Sequence, residues 1–522
     1  MSAFHYFWNQ KGLLALFAGI FLGLSYPPFT FPLNLLVFPA WIMLFRLNTL
    51  AESARESGKY SYIAFLTWNI ITTYWLMFAT VPGGIAAILA NSAIMTVPFM
   101  LMYLFQKRTD TAWLSALIIP SFWMAYEFLH FRWDLSWPWL HLGNSFAVSP
   151  WLVQYISITG IGGITFWILC ASWLMYKNAP RLLTFSVMLL PPLFSLFLYA
   201  SESKEPERNI EIGIVQPNYD SYLHLAGYDH PVIPLQSLLD TTSSLITSET
   251  KVVFWPENAI MALIQEGLPG ESDRLIQQYV EDWDIPLISG SSFLRRYAPD
   301  EAPPVVRTTV AGKPANVYNS ALGFYPDGSM SYYKKAKLVP LVERFPFLHA
   351  LSRLDVFDWI NWSSVAMFGR GNTPDVFDID GVHIPALICY DSVYPDWVRR
   401  FVLNDAGVLV VITNDGWWGN TSGHIQHFEF ARLRAIEMHR TVLRSANNGL
   451  SGVIYANGDV AVKTTYWTED RFVYDVPVYT HATFYVRYGD WLNIAFLLLA
   501  VSSLLWLKIS RNRREASKLS GS

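Results

Sequence analysis

Between residues 12 and 199 the chain carries seven apolar stretches long enough to cross a bilayer, at about 12–29, 32–48, 60–81, 83–106, 112–130, 151–176 and 181–199, and an eighth covers about 491–509. A helix of about 20 apolar residues matches the ~30 Å hydrocarbon core and satisfies its own backbone there. A series of such runs has no place in a water-soluble fold. The composition agrees, with 52% hydrophobic, 16% aromatic and only 15% charged residues. The expected architecture is a membrane α-helical bundle of about eight spans plus one large domain. Residues 1–200 would form a seven-span unit, 201–490 the domain, and 491–522 a last span with a basic tail. The first stretch belongs to the series and is not read as a cleaved signal peptide.

The connections between spans alternate in charge. Lys11, Arg46, Arg55, Lys59, Lys107, Arg108, Lys177, Arg181, Lys508, Arg511, Arg513, Arg514 and Lys518 all fall on one side of the bilayer in this count. The opposite connections, 25–30, 81–84 and 131–150, hold a single basic residue, Arg132. Basic loops stay in the cytoplasm, so residues 201–490 are expected outside it. The net charge of -4 gives no support for nucleic-acid binding. The two cysteines, Cys170 and Cys389, lie one in an apolar run and one in the domain, so no disulfide framework is expected. An unpaired thiol outside the cytoplasm calls for a use.

Within the domain, short β-type runs alternate with helical ones. Residues 210–216, 252–256, 286–290, 317–325, 385–389, 408–413 and 452–455 read as strands, and Tyr325-Pro326-Asp327-Gly328 as a hairpin turn. Residues 424–440 place Phe428, Ala431, Ala435 and Met438 on one helical face, with Arg432, Arg434 and Glu437 elsewhere. This is the pattern of a layered α/β domain.

Three positions in it could carry chemistry. The run Pro385-Ala386-Leu387-Ile388 delivers Cys389 to a strand-to-helix elbow. Asp391 and Ser392 are cap-type residues for the amphipathic stretch 396–403, which would put the thiol at a helix N-terminus that favours thiolate. Glu257 follows the strand-like 252–256, at the carboxyl end of a buried strand, where open α/β sheets keep their sites. The basic run Tyr333 to Pro340 offers Lys334, Lys335 and Lys337, and spacing does not choose among them. Each has a plainer reading: an inert buried thiol, a solvated loop acid, a wet surface strand. His424, His427 and His439 lie on or near one helix with no Asp or Asn pattern around them and read as structural or surface residues.

Trp255-Pro256-Glu257-Asn258, Lys335-Ala336-Lys337-Leu338-Val339-Pro340 and Ile388-Cys389-Tyr390-Asp391, in that order, resemble the Glu-Lys-Cys motifs of the nitrilase superfamily. The surrounding spans, Pro138-Trp139-Leu140 and Asn414-Asp415-Gly416-Trp417-Trp418-Gly419 resemble its membrane-embedded branch, the apolipoprotein N-acyltransferase family. The resemblance implies an αββα nitrilase-like sandwich with Glu257 as general base, Lys335 as the positive group at the tetrahedral intermediate and Cys389 as nucleophile. The Tyr390 backbone N–H would be a second oxyanion donor. Glu343 matches a family glutamate on a loop over the site, with the plainer role of orienting Lys335; Asn319 and Trp417 match supporting positions. The implied reaction passes a fatty acyl chain from a membrane phospholipid, through a cysteine thioester, to the N-terminal amine of a diacylglyceryl-modified apolipoprotein. No cofactor or metal is implied, and the implied place is the bacterial inner membrane, with the domain on the periplasmic side. A membrane-anchored amidase, with water as acceptor, would use the same triad. A noncatalytic scaffold would leave it unused.

The chain departs from the family pattern in three places. Asp391 stands where a glutamate is common, Val342 where a glycine precedes the loop glutamate, and Leu225 where an aromatic is expected, with Tyr222 and Tyr228 nearby. These bear on the pocket, not on the triad.

Overall fold

The computed structural model describes residues 6–108, 112–201, 205–357, 359–362 and 368–520; the remaining few, within or at the ends of the expected segments, lie outside the described residues. The chain divides into two compact units. One comprises Met1–Tyr74, Gly84–Ser201 and Tyr488–Ser522, the other Trp75–Gly83 and Glu202–Arg487.

The first unit is helical. Each of the eight expected stretches carries a helix: Lys11–Leu24, Val37–Leu50, Ala54–Thr73, Val81–Gln106, Ala112–His130, Gly162–Tyr176, Arg181–Ser201 and Trp491–Ser520. Among the described residues, four segments are long and apolar enough to cross a membrane: Leu33–Leu50, Val81–Gln106, Arg181–Ser201 and Trp491–Ser510. Lys11–Leu24 and Gly162–Tyr176 are apolar but shorter. Local chemistry shortens the expected runs. Pro27 and Pro28 follow the first helix, and Gly160, at φ +65°, separates the turn Ile156–Thr159 from Gly162–Tyr176. The expected run 60–81 breaks after Thr73, whose hydroxyl donates back to the Asn69 carbonyl at 2.7 Å. Glu127 is buried in this unit and accepts from Leu142 N–H (2.7 Å), Thr165 Oγ1 (2.7 Å) and Trp123 Nε1 (3.1 Å). Those bonds tie the loop carrying Pro138-Trp139-Leu140 to two helices.

The second unit is a sandwich of two sheets. Its first sheet takes strands β1 (Arg208–Gln216), β2 (Thr250–Phe254), β3 (Ile260–Gln265), β4 (Leu287–Arg296), β5 (Thr308–Val310), β6 (Lys313–Phe324) and β7 (Met330–Lys334). A two-stranded ribbon, β8 (Phe377–Ile379) and β9 (Val382–Ile384), follows. The second sheet runs β10 (Ala386–Ile388), β11 (Leu409–Thr413), β12 (Val442–Ala446), β13 (Gly452–Ile454) and β14 (Val460–Lys463), in that order. Strand β15 (Asp470–Val478) returns to the first sheet beside β1, giving the order β15-β1-β2-β4-β6-β5, with β3 on β4 and β7 on β6.

Helices Val232–Ser243 and Glu271–Trp283 cover the first sheet, burying Leu235, Leu238, Leu239, Ile276 and Val280 against Val215, Val253 and Leu287. Helices Pro395–Leu403 and Ser422–Met438 belong to the second sheet's outer layer, and Ser445 of β12 bonds to the carbonyls of Val215 and Phe254 between the sheets. This is the αββα arrangement. Of the parallel strands, β2, β10 and β11 are largely apolar, as strands covered on both faces tend to be. The helix Ser422–Met438 differs from its expected amphipathic form. It is buried nearly all round, and Arg434 meets Glu437 at 2.6 Å inside the protein.

Candidate active site

Glu257 lies just past the end of β2, on a turn packed against β4. A Cβ on Gly290 would come within 2.5 Å of the Glu257 Cα, so glycine there lets the turn approach the strand. Glu257 is 6% exposed, and both oxygens of its carboxylate accept hydrogen bonds. Its Oε1 accepts from Asn319 Nδ2 at 2.7 Å and from Lys335 Nζ at 3.2 Å, and its Oε2 accepts from the Asn414 N–H at 3.1 Å. Lys335 extends β7 by one residue, its N–H bonded to the Asn319 carbonyl of β6. Glu343 grips the same ammonium at 2.8 Å, shares the Asn319 amide at 3.0 Å, and accepts from the Val339 N–H at 2.8 Å. Burial alone would lower the Lys335 pKa, but Glu257 and Glu343 outweigh it and hold the group well above its usual value, as an ammonium.

The other two lysines point elsewhere. Lys334 lies over the Tyr318 ring at 5.1 Å and Lys337 over the Tyr394 ring at 4.7 Å, both half-buried. Alternation turns Lys334 away from the carboxylates that Lys335 reaches, and Lys337, beyond the end of β7, turns to the Tyr394 ring instead.

Cys389 stands at the tip of β10, at φ +46°, where non-glycine residues are uncommon, and opens the short 3-10 turn Cys389–Val393. The following helix starts at Pro395 with Tyr394 before it, so Asp391 and Ser392 do not cap it as the sequence suggested. Nor does the thiol have the lowered pKa that a helix N-terminus would give. Burial and the Glu257 carboxylate push it well above its usual value, and Lys335 opposes them. A proton therefore stays on sulfur until a base takes it. Lys335 and Glu257 both lie within electrostatic reach of that sulfur.

The Apolipoprotein N-acyltransferase N-terminal domain profile matches residues 18–174, and the Carbon-nitrogen hydrolase profile matches residues 211–483, more than half of the chain. A protein of Chlorobaculum tepidum named apolipoprotein N-acyltransferase is 30% identical over 97% of this chain and 98% of its own length. The chain belongs to the apolipoprotein N-acyltransferase family. A Wigglesworthia glossinidia brevipalpis protein of the same name is 24% identical over 96% of this chain and 98% of its own. Among solved structures, Saccharomyces cerevisiae Nit3, of the nitrilase superfamily, covers 53% of this chain and 93% of its own at 15% identity, with a TM-score of 0.39.

The family's departures acquire a physical meaning here. Asp391 is fully buried and accepts from the N–H groups of Lys337 (2.7 Å), Ala336 (3.2 Å) and Ile388 (3.4 Å) and from the Tyr333 hydroxyl (2.7 Å), which Trp397 Nε1 holds at 3.0 Å. It fastens the segment flanking Lys335 to the strand that carries Cys389. Burial raises its pKa to about 6. Val342 is exposed, and Leu225 sits at φ +48°. Tyr390 is buried edge-on to Tyr394, and Trp417, largely exposed, packs edge-on to Tyr222 at 5.9 Å.

The sequence reading missed a buried cluster behind the cysteine. His427, on the Ser422–Met438 helix, has an acidic partner after all: its Nδ1 lies 2.9 Å from Asp415 Oδ1. Asp415 also accepts from Thr413 Oγ1 at 2.7 Å and Arg444 at 3.1 Å. Burial opposes its charge, yet His427, Arg444 and Thr413 hold its pKa down at about 2. The signal was Asp415 itself, inside a motif already singled out, but only the 3-10 turn Asp415–Trp418 brings it to the histidine. Donor atoms of Cys389, Asp415 and His427 lie within 4.8 Å of one another. The Arg444 guanidinium on the carboxylate and the bonds at both histidine nitrogens make this a hydrogen-bonded support and a poor cation site.

Proposed function

We propose that this chain transfers a fatty acyl chain from a membrane phospholipid to the α-amine of the diacylglyceryl cysteine of apolipoproteins, through a thioester on Cys389. The observation that carries the reading is the Lys335 ammonium, clamped by Glu257 and Glu343 beside a protonated buried thiol, in a chain bearing both domains of the family. In the first half-reaction Glu257 takes the thiol proton as sulfur attacks the donor ester carbon. The carbonyl electron pair moves to oxygen, facing the Lys335 ammonium and the Tyr390 N–H. Collapse expels the lysophospholipid oxygen, which recovers the proton from Glu257. In the second half-reaction the acceptor amine attacks the thioester, Glu257 takes its proton, and the departing thiolate regains it. Asn319 and Glu343 hold the base and the ammonium in place, Asp391 holds the lysine segment, and Trp417 borders the acyl-chain approach.

An eight-span topology with residues 201–490 on the periplasmic side of the inner membrane fits this chemistry, because both substrates are anchored in the bilayer. The distribution of basic residues supports it. A diacylglyceryl-cysteine peptide given to enzyme and phospholipid tests the function: mass spectrometry should show N-acyl peptide and lysophospholipid in equal amounts. Free fatty acid in place of N-acyl peptide would assign water as acceptor and a membrane-anchored amidase or hydrolase.

A further inference from the structure

We propose that Ser392 and His427 are positioning residues of the oxyanion site. Ser392 holds the carbonyl of Cys389, His427 backs the Ser392 hydroxyl, and together they aim the Tyr390 N–H, on the opposite edge of the same peptide, at the oxygen that gains charge. The inference rests on the reading above, in which Cys389 is acylated.

A peptide unit is planar, with its C=O and N–H pointing in opposite directions, so fixing one edge fixes the other. The Ser392 hydroxyl donates to the Cys389 carbonyl at 2.7 Å. His427 Nε2 lies 3.0 Å from that hydroxyl and 3.3 Å from the same carbonyl oxygen. Behind it, Asp415 fixes the ring through Nδ1 and is itself held by Thr413 and Arg444. The whole column is buried: Ser392 is 3% exposed, His427 1%, and Asp415 and Arg444 are fully enclosed.

The peptide needs such a grip. Cys389 sits at φ +46°, which its Cβ disfavours, and a relaxing rotation would swing the Tyr390 N–H away. A carbonyl that accepts a hydrogen bond also polarises its own amide, which makes the N–H a better donor. Neither side chain is needed for proton transfer, since Glu257 serves both half-reactions. Their effect is confined to the geometry of the developing oxyanion.

The test compares two reactions of the same thiol in the full-length enzyme in detergent. Acylation by phospholipid builds an oxyanion; alkylation by iodoacetamide does not. Ser392→Ala should slow single-turnover lysophospholipid release by about tenfold or more, leaving the donor KM and the alkylation rate within about twofold of the parent. His427→Ala should behave alike, and His427→Gln, whose amide can take the place of Nε2 beside the Ser392 hydroxyl, should recover most of the lost rate. Acylation within about twofold of the parent in Ser392→Ala, or equal losses of acylation and alkylation, would overturn the inference. If the parent alkylates but is never acylated, the acyl-carrier reading itself falls, and this inference with it.

Discussion

Lys335→Ala separates charge stabilisation from simple packing, because the structure fixes what the lysine leaves behind. Its ammonium lies 3.2 Å from Glu257 and 2.8 Å from Glu343, and both glutamates are buried residues. Removing one partner of a buried ion pair costs about 3–5 kcal/mol, because the remaining charge is uncompensated. Here two carboxylates sharing the Asn319 amide are left facing each other. In the variant they should take up a proton, so its deficit in melting temperature should shrink as pH falls from about 8 to 5, the direction required when folded carboxylates have raised pKa values. Catalysis should suffer separately. Loss of a charged oxyanion donor costs about 3 kcal/mol, which is roughly a 150-fold slower acylation. The assay is burst release of lysophospholipid from purified, folded variant at a pH where both proteins are stable. Activity within about tenfold of the parent, or a silent Lys334→Ala or Lys337→Ala beside an active Lys335→Ala, would refute the assignment.

Glu257→Gln should abolish acyl-enzyme formation, because burial keeps the Cys389 proton on sulfur and the amide cannot accept it; intact mass after incubation with phospholipid checks this. Asp391→Asn should lower acylation by loosening the lysine segment, since an amide has one acceptor oxygen and its NH2 must face donors that a carboxylate oxygen now satisfies, either those of Ala336 and Lys337 or those of Tyr333 and Ile388. Its stability should move the other way with pH: a buried acid raised to about 6 contributes stability below about pH 4 that is lost as pH rises through 6. Thermal unfolding of parent and Asp391→Asn from pH 4 to 7 should shift in the variant's favour by up to ~3 kcal/mol. A topology reporter fused after Ser201 should behave as extracytoplasmic, and cytoplasmic behaviour would reverse the proposed orientation.

The sandwich was legible where strands are apolar on both faces, as in β2, β10 and β11. It was opaque where they are not: β12 carries Arg444 and Ser445 in its centre, β14 is largely exposed, and β15 is mostly only partly buried. Spans expected at 60–81 and 151–176 were overlong, because the apolar run continues through a hydroxyl-bonded helix end and through a left-handed glycine that hydropathy does not register. In the site, spacing placed Glu257 and Cys389 at strand ends but gave no reason to prefer Lys335, since the direction of a side chain on an edge strand depends on register with β6. His427 looked inert because its partner, Asp415, arrives through a turn and not through helical spacing. The thiolate expectation failed because it counted a helix dipole and neither the burial of the sulfur nor the Glu257 carboxylate.

The central claim is that Cys389 carries the acyl chain between two lipid substrates that use one site in turn. The direct measurement is the intact mass of the purified enzyme after incubation with phospholipid and no acceptor. The account predicts a mass increase of one acyl chain, removable by hydroxylamine, absent in Cys389→Ala, and matched by about one equivalent of lysophospholipid. An unmodified enzyme that releases lysophospholipid only once the lipopeptide is added would contradict it.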